Sequence, residues 1–155
     1  MTLKESIQND VKLAMRAKDS ARLGTLRLAV AALRQREIDE RIELDDQGVI
    51  GVLERMLKQR RDSIAQYEQA GREDLAEQER FEVGVLSAYL PQPLTAEQIE
   101  VAVEAALAQV AAAGGGALSA ADMGRVMALL KPALLGRADI AQVSILVKGR
   151  LSGRA

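Results

Sequence analysis

The sequence predicts an all-α fold, an N-terminal four-helix bundle followed by a C-terminal three-helix bundle. Apolar residues make up 48% of the 155 positions but aromatics only 2%. The core must therefore be Ala, Leu, Val, Ile and Met, which pack well between helices and leave little from which to build strands. These residues recur at three- and four-residue intervals. Capping and proline signals then divide the repeats into separate stretches.

Thr2-Leu3-Lys4-Glu5 reads as a capping box opening a first helix whose inner face is Leu3, Ile7, Val11, Ala14 and Met15. Asp19 is the N-cap of a second, with a stripe of Leu23, Leu26, Val30, Leu33 and Ile38. Asp45-Asp46-Gln47-Gly48 breaks that pattern before a third helix carrying Val49, Val52, Leu53, Met56, Leu57, Ile64 and Tyr67, with Gly71 as its C′ residue. A fourth runs from about Glu73 to Leu90, with Leu75, Leu86, Leu90 and either Phe81 or Glu82 facing inward. Pro91-Gln92-Pro93 must stop it, because neither proline donates an amide and each pushes its predecessor out of the α region.

That break sets the expected organisation: a helical domain over 1–90, a linker over 91–94 and a three-helix domain over 95–155. Thr95-Ala96-Glu97-Gln98 is a second capping box, followed by Ile99, Val103, Ala106, Leu107 and Val110. Gly114-Gly115-Gly116 ends this helix. Ser119-Ala120-Ala121-Asp122 caps a sixth, with Met123, Val126, Met127 and Leu130 apolar and Pro132 limiting it. Asp139 caps a seventh, striped by Ile140, Val143, Val147 and Leu151.

Composition narrows the function. There is no cysteine, hence no disulfide, thiol nucleophile or thiolate metal site. There is no histidine, the commonest general base at neutral pH, which argues against an independent enzyme. No apolar run approaches the roughly 18 residues of a membrane span. The opening residues carry charges where a signal peptide would be apolar. A cytoplasmic protein without metal or cofactor is the expectation.

Net charge is −1, but its distribution is uneven. Residues 1–36 carry eight basic and three acidic side chains, and 101–155 carry six and three. The stretches between alternate in sign, as neighbouring helices that neutralise one another do. No acidic block follows the last basic segment.

Each candidate site has an ordinary reading beside it. Gly114–Gly116 lacks the Lys-Ser/Thr of a phosphate-binding loop and follows a helix, so it reads as a turn. Met123 and Met127 lie four apart as core fillers. Gly124 between them costs about 1 kcal/mol relative to Ala, and close helix packing is the favoured reason over approach of a ligand. Gly136 and Asp139 serve a turn and an N-cap, a duty in which Arg137 has no share, so Arg137 is the leading binding candidate. Arg125, Lys131 and Lys148 can join it in holding phosphates. Arg55, Lys58, Arg60 and Arg61 read as a solvated face paired with its own helix, and Glu77, Glu79 and Glu82 as surface carboxylates.

Taken together these segments resemble the GatB/YqeY family. Asp10–Arg16 with Asp19, Arg22 and Leu23 is similar to its opening. Leu26-Arg27-Leu28, Glu37-Ile38-Asp39, Lys58–Ile64 and Ala70–Ala76 follow in order. Glu79, Glu82, Tyr89-Leu90-Pro91, Met123-Gly124-Arg125-Val126-Met127 and Gly136-Arg137-Ala138-Asp139 complete the match. Ile140 departs from it, standing where family members often carry glycine. The resemblance implies two helical bundles related to the tail of the B subunit of tRNA-dependent amidotransferases. It implies tRNA, or a tRNA–enzyme complex, as partner. A carbon–nitrogen ligase label with glutamine as nitrogen donor comes only by association with catalytic subunits. The rival readings are a protein–protein adaptor and an amidotransferase component active only in complex.

Overall fold

Thr2 caps α1 (Leu3–Arg16) reciprocally: its hydroxyl accepts from the Glu5 amide at 3.2 Å, and the Glu5 carboxylate accepts from the Thr2 amide at 2.9 Å. In this computed structural model, which describes residues 1–153, Ile7 and Ala14 are buried while Met15, expected inside, is 52% exposed. One residue past Ala14 swings about 100° around the helix, off the inner face. The helix closes as a Schellman motif, Asp19 N–H to Ala14 carbonyl at 3.0 Å and Lys18 N–H to Met15 carbonyl at 3.2 Å. Lys18 therefore sits at φ 55, where glycine is usual.

Asp19 then accepts from the Arg22 amide to start α2 (Ser20–Glu40). Leu26, Ala29 and Leu33 are buried, and the Thr25 hydroxyl is satisfied by the Ala21 carbonyl at 3.3 Å. Ile38 is a correction: it lies about 140° past Leu33 on the wheel and is 64% exposed. Glu37 points inward instead, accepting from Lys4 Nζ at 2.8 Å and from the Leu44 amide at 2.9 Å. Those two donors, Lys4 first, hold its carboxyl below the usual carboxylate range.

The expected break before the third helix is present but falls earlier, over residues 41–45 rather than Asp45–Gly48. Asp45 is the N-cap of α3 (Asp46–Gln69), accepting from the Gly48 amide at 2.8 Å. A Cβ at Gly48 would lie 2.6 Å from Leu44 Cδ2, so a larger residue there would have to displace that methyl. Leu44 and Val49 are both buried at the positions of a hydrophobic staple. The buried residues of α3 all fall between Val49 and Leu57. Its later half runs alongside α4 (Glu73–Ser87), joined through Gly71 at φ +70 as the C′ residue of a Schellman turn. Ala76, wholly buried, lets the two helices approach. α4 ends at Ser87, short of the expected Leu90, because Tyr89 and Leu90 donate to the Leu86 and Ser87 carbonyls in a tighter, 3-10-like turn. Phe81 faces out at 42% exposure and Glu82 faces in.

Backbone contacts divide the chain into two units, Met1–Pro91 and the part from Gln92 onward. The last two residues of the expected 95–155 segment lie outside the described residues. In the second unit Thr95 and Gln98 cap α5 (Ala96–Ala113) reciprocally. Gly114 closes it, and Gly115 and Gly116 follow at positive φ. Ser119 caps a 3-10 turn, Ala120–Asp122, which leads into α6 (Met123–Leu134). Pro132 sits inside α6 rather than ending it, on the side away from the core, where the lost amide costs one rung of the last turn. Asp139 accepts from the Ala141 amide at 3.0 Å to start α7 (Ile140–Ser152). Val103, Leu107, Val126, Leu134, Val143 and Val147 form a core separate from that of the first unit. All three aromatic residues, Tyr67, Phe81 and Tyr89, belong to the first unit.

Burial orders the expected losses. Leu53→Ala, at zero exposure, should destabilise the first unit by about 2–5 kcal/mol. Ile38→Ala should change it by less than about 0.5 kcal/mol. Urea denaturation followed by circular dichroism separates the two.

Candidate nucleic-acid interface

The four cations expected to cluster do not share one surface. Arg125 leaves α6 on the side away from the core and lies 3.1 Å from Asp122. Asp122 is 8% exposed and also accepts from the Ser119 amide at 2.9 Å. Arg125 is thus tied to the 3-10 turn, close to Gly114 at the end of α5. Lys131 stands six residues on, roughly 9 Å farther along the helix and about 120° around it.

Arg137 proves to have a structural duty after all. Its Nε–H donates to the Gln92 carbonyl at 3.1 Å, and its own carbonyl accepts from the Leu94 amide at 2.9 Å. The Gln92–Leu94 stretch is thereby fastened to the α6–α7 turn. Gly136 at φ +77 shapes that turn while buried. Arg137 and Lys131 lie toward the C-terminal end of α6, whereas Arg125 lies at its start.

Helical periodicity sets Gly124 and Lys131 on one flank of α6, at its two ends, and Lys148 on the flank of α7 away from Arg150. Gly124 and Lys131 are seven residues apart and so share a flank of α6. The flank of α7 that faces α5 is marked by Arg150, which pairs with Glu104 and lies 3.5 Å from Glu100. Lys148, about 160° around α7 from Arg150, is turned away from α5 and toward the α6 side. Lys131 and Lys148 are exposed and have no ion-pair partner among the described residues. The same flanks carry Gly124, Ala128, Ala141 and Ser144, which are small, and the exposed Ile145. A Cβ added at Gly124 would meet nothing within 4 Å, so close helix packing does not explain this glycine. The methionines behave as core: Met127 is 7% exposed and Met123 packs on the same cluster.

The acidic side chains of α5 also alter the charge reading. Arg150 is neutralised by Glu100 and Glu104 of α5, although no acidic block follows it.

Two charged contacts in the first unit escaped the sequence reading. Arg60 and Glu82 pair at 3.0 Å between α3 and α4, with side chains only 12% and 14% exposed. They are therefore neither a solvated face nor a surface carboxylate. The signal was their register, since Arg60 falls between Leu57 and Ile64 on the α3 stripe. Nearby, burial and then Glu82 raise the Glu79 pKa. Glu77 goes to Arg80 at 3.4 Å, so the three carboxylates are not gathered, and no metal-holding group occurs among the described residues. Second, the Tyr89 hydroxyl donates to Asp10 at 2.5 Å, with Arg22 3.9 Å from the same carboxylate. Burial first, then Asp10, raises the phenol pKa well above its usual 10.0.

These two helical units, the first ending in Tyr89-Leu90-Pro91 and the second carrying the Gly136–Asp139 turn, have a counterpart among known proteins. The profile described as Yqey-like protein matches residues 4–151. The chain belongs to the YqeY family. Among curated proteins it is similar to altered inheritance of mitochondria protein 41, mitochondrial. The match from Kluyveromyces lactis is 36% identical over 85 residues, 54% of this chain and 46% of the relative. That from Vanderwaltozyma polyspora is 34% identical over 101 residues, 63% and 55%. That from Pyrenophora tritici-repentis is 28% identical over 125 residues, 81% and 69%. The chain spans about half the length of the first two relatives.

These names overturn the cytoplasmic expectation, because each of these relatives is a mitochondrial protein. Lack of cysteine and a charged opening separate oxidising from reducing surroundings, not one reducing compartment from another. No helix among the described residues is long and apolar enough to cross a membrane.

Two outcomes are expected. Gly124→Ala, entering open space within a helix, should stabilise the second unit by about 0.4–1 kcal/mol in denaturant titrations. Because the Tyr89 pKa is raised on folding, its contribution is complete below about pH 10 and is lost as pH rises through the folded value. Stability should therefore fall above pH 10 in the wild type and fall less in Tyr89→Phe, read as melting temperature against pH.

Proposed function

We propose that this YqeY-family chain is a non-catalytic module that binds tRNA, or a tRNA–enzyme complex, through the α6–α7 face of its second unit. What supports this reading is that periodicity sets two exposed lysines without ion-pair partners among the described residues, Lys131 and Lys148, on neighbouring flanks of α6 and α7, with Gly124, whose open side no protein atom fills, on the α6 flank. Lysines of this kind hold phosphates by charge without reading bases. Small residues between them admit a sugar–phosphate chain close to the helix backbones. Arg137 contributes from the end of the bundle, its remaining donors free to face a phosphate beyond the Gln92 carbonyl. Arg125, held by Asp122, has less charge to offer. The mechanism is positioning: the protein holds an RNA, and any glutamine-dependent chemistry belongs to partner subunits.

Fluorescence anisotropy of labelled tRNA at low and physiological salt tests this. Lys131→Glu with Lys148→Glu should weaken binding at least about tenfold and flatten the salt dependence by about 1.5 logarithmic units per decade. Arg125→Gln should do much less. Binding by the wild type that neither lysine change alters would remove the α6–α7 face from the function.

A further inference from the structure

The second strongly basic surface lies on the first unit. Lys12 and Arg16 are four apart on α1, Arg27 and Arg34 seven apart on α2, and Lys18 is in the turn joining the helices. All five are exposed, and none has an ion-pair partner among the described residues. The Lys4–Glu37 pair fixes which flanks of the two helices meet. The shallow cleft lined by Lys4, Gln8, Val30, Leu33, Arg34 and Glu37 lies along that seam. Helical periodicity puts Lys12 and Arg16 on the α1 side of the seam, and Arg27 and Arg34 on the α2 side.

Acidic groups are absent from the middle of this face. Between Gln8 and Arg34 the only carboxylates are Asp10 and Asp19. Asp10 sits about 160° around α1 from Lys12, bonded by Tyr89. Asp19 is used as the α2 cap. Several other cations of the unit are answered by carboxylates, as at Lys4, Arg60, Arg72 and Arg80.

We infer that the α1–α2 face is a second contact for the RNA phosphate backbone, an inference that rests on the RNA-binding function proposed above. The pattern suits a phosphate chain: rigid helices, guanidinium groups roughly 10 Å apart along α2, and side chains able to donate two hydrogen bonds to one phosphate. An acidic membrane is the rival occupant, since Leu13, Met15 and Leu28 are each about half exposed on the same two helices, and the vesicle arm of the test separates it.

The test uses the full chain, a tRNA transcript, and vesicles of phosphatidylcholine with phosphatidylserine. Arg27→Glu with Arg34→Glu should weaken tRNA binding at least about tenfold and flatten its salt dependence by about 1.5 logarithmic units per decade. Arg27→Lys with Arg34→Lys should keep most of the affinity. Lys18→Gly should raise the melting temperature while weakening tRNA binding, which a purely structural role would not do. If the wild type binds tRNA and loses affinity only through Lys131→Glu with Lys148→Glu, the α1–α2 contact is wrong and the function proposed above stands. If the wild type binds no tRNA at either salt, both fall. Binding to the vesicles without binding to tRNA also overturns the inference and makes this a lipid-facing surface.

Discussion

Everything in this molecule follows from building helical cores out of small aliphatic side chains. No aromatic ring is among the fully buried side chains, whose largest members are Ile7, Leu26, Leu53, Leu57, Leu86, Leu107 and Leu134. Helices filled this way must approach closely, and their separation is set by the side chains at each contact. Ala76 at zero exposure between α3 and α4 is the local expression of that rule. Close approach leaves narrow inner faces and wide outer ones, so most charges must be displayed rather than tucked away.

Where a charge does fall on an inner face, it must be answered. Arg60 and Glu82 occupy inner positions of α3 and α4 and meet at 3.0 Å. Removing one partner would leave the other half-buried and uncompensated, which costs more than the intact pair contributes. Arg80, bonded to Glu68 and Glu73, closes the far end of the same hairpin. The later half of α3 thus exchanges apolar packing for specific ionic contacts, consistent with its lack of fully buried residues.

The helices were legible because their signals are local. The reciprocal caps at Thr2 and Thr95, the N-caps at Asp19 and Asp139 and the glycine stop at Gly71 all act within one turn, so sequence proximity is enough. The errors arose where phase accumulates or where a distant partner decides. Ile38 lies five residues past Leu33, a step of about 140° that leaves the stripe, whereas Glu37 at i+4 keeps its phase. The break between α2 and α3 was placed a few residues late, at Asp45–Gly48, because a cap with a glycine in the first turn resembles a turn in composition. The candidate site was legible only as a set of residues: Arg125 and Arg137 were separated from Lys131 and Lys148 by an ion pair to Asp122 and a hydrogen bond to Gln92, both fixed by tertiary geometry. The basic α1–α2 face required knowing which flanks meet, which the Lys4–Glu37 contact supplies.

The confinement of Tyr67, Phe81 and Tyr89 to the first unit has an optical consequence. With no tryptophan in the chain, tyrosine emission and the near-ultraviolet dichroic signal report on the first unit alone. The second unit is dark to both and is seen only through its peptide backbone. A melting curve recorded at a tyrosine wavelength and one recorded at the helical band therefore observe different parts of the same molecule. Coincidence of the two traces marks cooperative unfolding across Pro91, and their separation marks two independent transitions.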